Sequence, residues 1–399
     1  MDLDGSTLFI IPLVAVLAPL LSRGIARWLP VPIVVFELLL GILVGPSVLN
    51  WAQASDFAAA LSQFGLALLF FVAGTEIQFS SLAGRSGRRS VLGWVISIAV
   101  GCVLGWLIAP GEPAIIIGIA LSSTALGTLL PILRDARELG TPFGHAVSAV
   151  GAVGEFGPLI AISIFLGSRE PGLSTIVLAL FALIAALAIW WAMRAPQGRF
   201  HSFVNATLHT SGQFAMRVVL LILATLVVIS VVLDIDFLLG AFTAGIVWRL
   251  IMREAKEADR EAVESKIEAI AFGFLVPVFF VYTGVTFDLT SFFEQPLLLV
   301  GVAAALLALL VVRGLPSMLA APAGASAKER WSVMLMGATG LPIIVAVTSV
   351  AVADGVLSTG FASVLVGAGM LSVLVFPLVA MGLRGERASV RTAVAEGPA

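Results

Sequence analysis

Phe70–Leu82 reads FFVAGTEIQFSSL, and Phe279–Phe292 reads FFVYTGVTFDLTSF. The two runs align with one inserted residue. Shortly before them stand Glu37–Pro46, ELLLGILVGP, and Leu238–Val247, LLGAFTAGIV, a second matched pair in the same order. Two apolar segments recurring together so far along a chain mark an internal repeat. Its meaning depends on how many times the chain crosses a bilayer between the copies.

Composition makes the bilayer the right frame. Of 399 residues, 60% are hydrophobic and only 12% charged, against roughly 25% charged in soluble domains. Windows of about 20 mostly apolar residues, the length a helix needs to cross, fall near 8–28, 31–49, 57–77, 90–109, 114–133, 145–167, 173–193, 214–233, 236–252, 269–287, 296–321, 331–353 and 359–383. All but two of the 22 basic residues, Arg169 and Arg313, lie in or beside the loops after odd-numbered spans. Cytoplasmic loops carry the excess of Lys and Arg, so the pattern places the N-terminus outside and the C-terminus in the cytoplasm of an inner, or plasma, membrane. The first apolar run has no basic region before it and does not read as a signal peptide.

With about thirteen spans, the repeated runs end the third and the tenth, an offset of seven. An odd offset inverts the second copy, giving the inverted-topology repeat common in secondary transporters. The expected organisation is an all-α, polytopic transmembrane domain over residues 1–391. Its repeats lie at about 1–167 and 213–383, a linker helix spans 173–193, and 392–399 form a short cytoplasmic tail. Residues 253–268 read as a charged connector helix. The repeat equates the fifth and twelfth spans, and both are interrupted by small and polar residues: LSSTALG at Leu121–Gly127 and GATGLP at Gly337–Pro342. Interrupted helices near the midplane expose carbonyls and helix ends to ions. Ser123, Thr124, Thr339 and Gly340 are therefore expected beside an ion site.

Charges within spans are costly and mark pathways or pairs. Glu155 stands in AVGAVGEFGPLIAIS with Gly151, Gly154 and Gly157 around it. A buried carboxylate takes either a proton or a cation, and an exchanger needs that competition. Arg313, in LLALLVVRGLPS, keeps its charge; it serves either as a counter-charge to Glu155 or as a clasp for half-helix ends. Glu76 is expected to pair with the Arg85, Arg88 and Arg89 cluster, and Glu37 to be a helix-contact residue. His145 is at best a weak candidate for sensing pH, and His201 and His209 are loop residues without a signal. The single cysteine, Cys102, offers neither a disulfide nor a metal cluster.

These stretches, with LPVPIVVFELLLGILVGPSVL, LALLFFVAGTEIQFSSL and ALSSTALGTLLPILRDARELGTPFGHAVSAVGAVGE, resemble Kef-type monovalent cation/proton antiporters of the sodium/proton exchanger superfamily. The resemblance runs along nearly the whole chain. It implies the sodium/proton antiporter fold, two crossed discontinuous helices, a core moving against a dimerisation domain, and a homodimer. The family's SST motif matches Ser122, Ser123 and Thr124, and its basic residue before the second broken helix matches Arg313. Its essential aspartate, usually preceded by Asn, Asp or Gln, corresponds here to Glu155 preceded by Gly154.

The function expected is exchange of Na⁺ or K⁺ for protons, electroneutral because one carboxylate carries both. Glu155 and Thr124 would bind the cation, supported by Ser123, Arg313 and Thr339. The alternatives are a sodium-coupled organic-anion symporter on a related fold and a homologue that does not transport. No nucleophile–base pair or phosphate loop suggests an enzyme, no cofactor is called for, and the partners expected are cations, protons and lipid rather than nucleic acid.

Overall fold

A computed structural model describes residues 5–25, 32–77, 82, 84–165, 171–194, 213–254 and 257–384, and every regular element among them is a helix. Lipid offers no hydrogen bonds, so a spanning segment must satisfy its backbone internally. The elements are α1 (Gly5–Ile25), α2 (Ile33–Val44), α3 (Asp56–Thr75), α4 (Arg85–Ile108), α5 (Glu112–Ser122), α6 (Leu126–Asp135), α7 (Pro142–Phe165) and α8 (Pro171–Arg194). They continue with α9 (Phe214–Val232), α10 (Phe237–Ile251), α11 (Glu257–Ile270), α12 (Val276–Val285), α13 (Leu297–Ala308), α14 (Ala327–Gly337), α15 (Pro342–Ala353) and α16 (Thr359–Leu383). Nine helical segments among the described residues are long and apolar enough to cross a membrane. Four shorter apolar helices, Phe9–Ile25, Ile33–Val44, Gly172–Leu187 and Phe237–Ile251, join them. Each falls on one of the thirteen expected spans.

Both interruptions are real. The fifth span stops at Ser122 and restarts as α6 at Leu126, and the twelfth stops at Gly337 and restarts as α15 at Pro342. Pro342 lacks an amide hydrogen and stands in the first turn of α15, where none is needed. Two other helices deviate without breaking. The charged connector, expected as a separate surface helix, is α11, which runs through a π-helical turn (Ala271–Leu275) directly into α12. A second π-helical turn, Leu309–Gly314, follows α13 and contains Arg313. Such turns often mark functional positions. The tail, His201 and His209 lie outside the described residues.

The repeated runs pack across one another. Gly41 of α2 meets Gly284 of α12, and Gly74 of α3 meets Gly245 of α10. A Cβ on Gly284 would sit 2.8 Å from the Gly41 Cα, and one on Gly245 would sit 3.0 Å from the Gly74 Cα. Gly74 and Gly284 stand at matching places in the two repeated runs, and each is in glycine-on-glycine contact with a helix of the other matched pair. Replacing Gly74 with Val is expected to force α3 and α10 apart at a cost of about 1–3 kcal/mol or more. A lowered melting temperature of the purified protein in detergent would register it; an unchanged one would show that the crossing tolerates bulk.

Candidate functional site

The two interrupted spans cross where their backbones are free. The Ala125 amide donates to the Thr339 carbonyl at 2.8 Å, and the Thr124 amide donates to the Gly154 carbonyl of α7 at 2.9 Å. The Thr124 hydroxyl donates to the Gly337 carbonyl, the last of α14, at 2.6 Å. Gly340 lies against the Ser123 carbonyl, and the Ser372 hydroxyl of α16 both accepts from the Gly340 amide at 3.1 Å and is 3.0 Å from its carbonyl oxygen. Ser123 and Thr339 turn their hydroxyls back onto their own helices, at Ala120 and Leu335. Their backbones, not their side chains, build the crossing.

Arg313 is fully buried and enters the crossing from its π-helical turn. Its Nε donates to the Thr124 hydroxyl and its Nη2 to the Val150 carbonyl of α7, both at 2.8 Å. The guanidinium thus feeds a chain of hydrogen bonds that ends on the C-terminal carbonyl of α14, where the helix dipole favours positive charge. Glu155 is in no ion pair among the described residues. The hydrogen bonds of Arg313 go to Thr124 and Val150 rather than to Glu155.

Glu155 is 2% exposed on α7. The backbone amide of Leu126, the first residue of α6, faces its carboxylate. Oε2, also buried, has no hydrogen-bond partner. The carboxylate therefore faces the positive end of a half-helix, with its buried Oε2 uncommitted. Leu126 and Leu130 of α6 pack on Ala152 of α7, one turn before Glu155. Leu130 also lines a cleft of about 170 Å³, together with Glu76, Arg134, Arg249, Glu264 and Glu268.

Glu76 departs from expectation. At the C-terminal cap of α3, it faces Arg134 and Arg249 together with Glu264 and Glu268, rather than the Arg85–Arg89 cluster. Arg249 also donates to the Thr75 carbonyl, so it caps α3 from α10. Glu76 is near enough to Glu155 for the two charges to interact. Sequence reasoning missed this link because Arg134 and Arg249 arrive from distant segments. Glu37 is buried in α2 and His145 is exposed at the start of α7; neither is brought to the crossing.

Gly154 explains the departure from the familiar residue pair. A Cβ there would lie 2.5 Å from Arg313 Nη2 and 2.5 Å from the Thr124 Oγ1. The clasp occupies the space that a side chain at 154 would need.

Comparison with known proteins agrees with this architecture. Residues 13–381 match the family described as sodium/hydrogen exchanger, transmembrane. A putative Na⁺/H⁺ antiporter of Bacillus subtilis, YjbQ, is 27% identical over 333 residues, covering 78% of this chain and 52% of that protein. The Na⁺/H⁺-K⁺ antiporter GerN of Bacillus cereus is 29% identical over 274 residues, covering 64% of this chain and 66% of GerN. The chain thus spans about half of the first relative and just under two thirds of the second. The sodium proton antiporter MjNhaP1 of Methanocaldococcus jannaschii shares the fold, with a TM-score of 0.65, 16% identity, and coverage of 96% of this chain and 97% of that one. The match along nearly its whole length makes this chain a multi-pass membrane protein of the sodium/hydrogen exchanger family.

Proposed function

We propose that the protein exchanges a monovalent cation, Na⁺ or K⁺, for protons, and that Glu155 carries each in turn. The observation carrying this is the state of its carboxylate: buried at the crossing of two broken helices, facing the Leu126 amide at the start of α6, with Oε2 uncommitted. A proton or a hard cation satisfies that oxygen equally well in kind. Thr124 supports the cation from the adjacent turn, while its hydroxyl serves the Arg313 clasp; Ser123 and Thr339 contribute through the backbone they bend.

Arg313 does not titrate in the working range and Gly154 has nothing to titrate. Glu155 alone crosses loaded with one proton or one cation, so the cycle moves no net charge. This reading includes thirteen crossings with the N-terminus outside the plasma membrane, inverted repeats at about 1–167 and 213–383 around a linker at 173–193, and a homodimer. The relatives named as Na⁺/H⁺ antiporters support it.

The test is proton flux in proteoliposomes carrying an internal pH dye, on addition of Na⁺, K⁺ or Li⁺. Expected is rapid proton movement with at least one cation, at a rate independent of an imposed membrane potential. Silence with every cation would favour the non-transporting homologue. A rate that follows the potential would overturn electroneutrality.

A further inference from the structure

We propose that Arg384 is a positioning residue for exchange, clasping Glu138 so that α7 and α16 hold the two helix breaks in register around Glu155. This rests on the exchange reading above. Both helices are struts of the site. α7 carries Glu155 and gives its Val150 and Gly154 carbonyls to Arg313 and Thr124. α16 gives Ser372 to both backbone groups of Gly340. Among the described residues, no hydrogen bond in the crossing joins one strut directly to the other.

Their junction is at one end of the bundle. Arg384 caps the C-terminus of α16, and Glu138 lies in the turn leading into α7. Arg384 Nη2 stands 2.5 Å and Nε 3.2 Å from Glu138 Oε1. The Thr141 hydroxyl donates to the other carboxylate oxygen at 2.5 Å. The guanidinium lies 4.0 Å from the Phe143 ring centroid, and Glu329, in the first turn of α14, approaches it at 3.6 Å.

This is no loose surface pair. The side chains are 19% and 6% exposed, and ion pairs held by further hydrogen bonds and an aromatic face are the ones that fix geometry. The Glu138 backbone is equally constrained. Arg137 adopts a positive φ of 58°, the Glu138 amide donates to the Leu133 carbonyl at 2.8 Å, and the Glu138 carbonyl fits only because residue 144 is glycine.

Beneath the clasp, an apolar cluster separate from the main core gathers Leu129, Leu133, Phe143, Val147, Val333 and Ala380 from α6, α7, α14 and α16. Halves of both broken spans and both struts therefore form one body, with the clasp closing its outer end. At about 1.5 Å per residue, α7 carries that constraint about 18 Å from Pro142 to Gly154.

The experiment measures cation-driven proton flux in proteoliposomes of the full-length protein for wild type, Arg384→Met, Arg384→Lys, Glu138→Gln and the Glu138→Gln/Arg384→Met double variant. Each single loss is expected to raise the apparent KM for the driving cation roughly tenfold, with the saturating rate changed less than about twofold. The double variant should be no worse than either single one, and Arg384→Lys should recover most of the affinity. A purely structural pair would instead lower the amount of folded protein and leave KM unchanged. Wild-type KM in Arg384→Met, or effects that add in the double variant, would overturn the proposal. Should Arg384→Met fail to fold, Glu138→Gln, which conserves shape, decides it by the same KM criterion. A wild-type protein with no exchange at all would refute the exchange reading and this proposal together, whereas normal exchange with unaltered KM in the variants refutes this proposal alone.

Discussion

Glu155→Gln is expected to abolish cation-driven proton flux, by about a hundredfold or more, while leaving the protein folded. Glutamine keeps the shape of the side chain. It cannot release a proton, and it offers a cation no compensating charge. With no ion pair to Glu155 among the described residues, removing its charge unpairs nothing, and a buried charge without a partner is itself a burden on stability. The melting temperature should therefore hold or rise as transport disappears. Flux in proteoliposomes and thermal unfolding in detergent together check this. Persistent exchange in Glu155→Gln would assign the carrier to another group, with Glu76 the first to examine because its charge reaches Glu155. Glu155→Asp is the companion change: it shortens the side chain by one methylene, about 1.5 Å, and draws the carboxylate back from the N-terminus of α6. Partial activity with a displaced pH optimum is the result expected.

Gly154→Asn should be almost as damaging for a different reason. It installs the residue pair to which the resemblance points, yet the space is taken by Arg313 Nη2 and the Thr124 hydroxyl. Displacing the guanidinium leaves a buried charge without its Thr124 and Val150 acceptors, a loss of about 3–5 kcal/mol by analogy with broken buried pairs. The expected outcome is a sharp fall in folded protein and in exchange, with even Gly154→Ala measurably destabilised. Yield of monodisperse protein and its melting temperature measure the effect. An active, stable Gly154→Asn would show that Arg313 can release Thr124 at little cost, and that the clasp is one of several arrangements of the site.

Much of this protein was legible in its sequence because the bilayer imposes simple rules. A spanning helix must be long and apolar, so the spans stand out. An odd offset, seven spans from FFVAGTEIQFSSL to FFVYTGVTFDLTSF, requires inversion. Serine, threonine, glycine and proline grouped within an apolar span, as at Leu121–Gly127 and Gly337–Pro342, leave the helix without a continuous ladder, and both spans do break there. A lone carboxylate in such surroundings, Glu155, marks itself out by the cost of burying it.

Tertiary structure alone decided which groups meet. Arg313 could be recognised as significant, but its partners, the Thr124 hydroxyl and the Val150 carbonyl, depend on a π-helical turn that changes its direction, and no residue pattern announces that turn. Gly154 reads in sequence as an absent side chain; only the crossing shows that a guanidinium fills its place. Glu76 was assigned to arginines nearby in the chain, whereas its neighbours Arg134 and Arg249 come from α6 and α10. Local propensity and hydropathy act over a few residues and fix where helices begin, end and break. Which charges find each other depends on distances set by the packing of helices remote in sequence, glycine against glycine at the Gly41–Gly284 and Gly74–Gly245 crossings, and those distances exist only once the chain has folded.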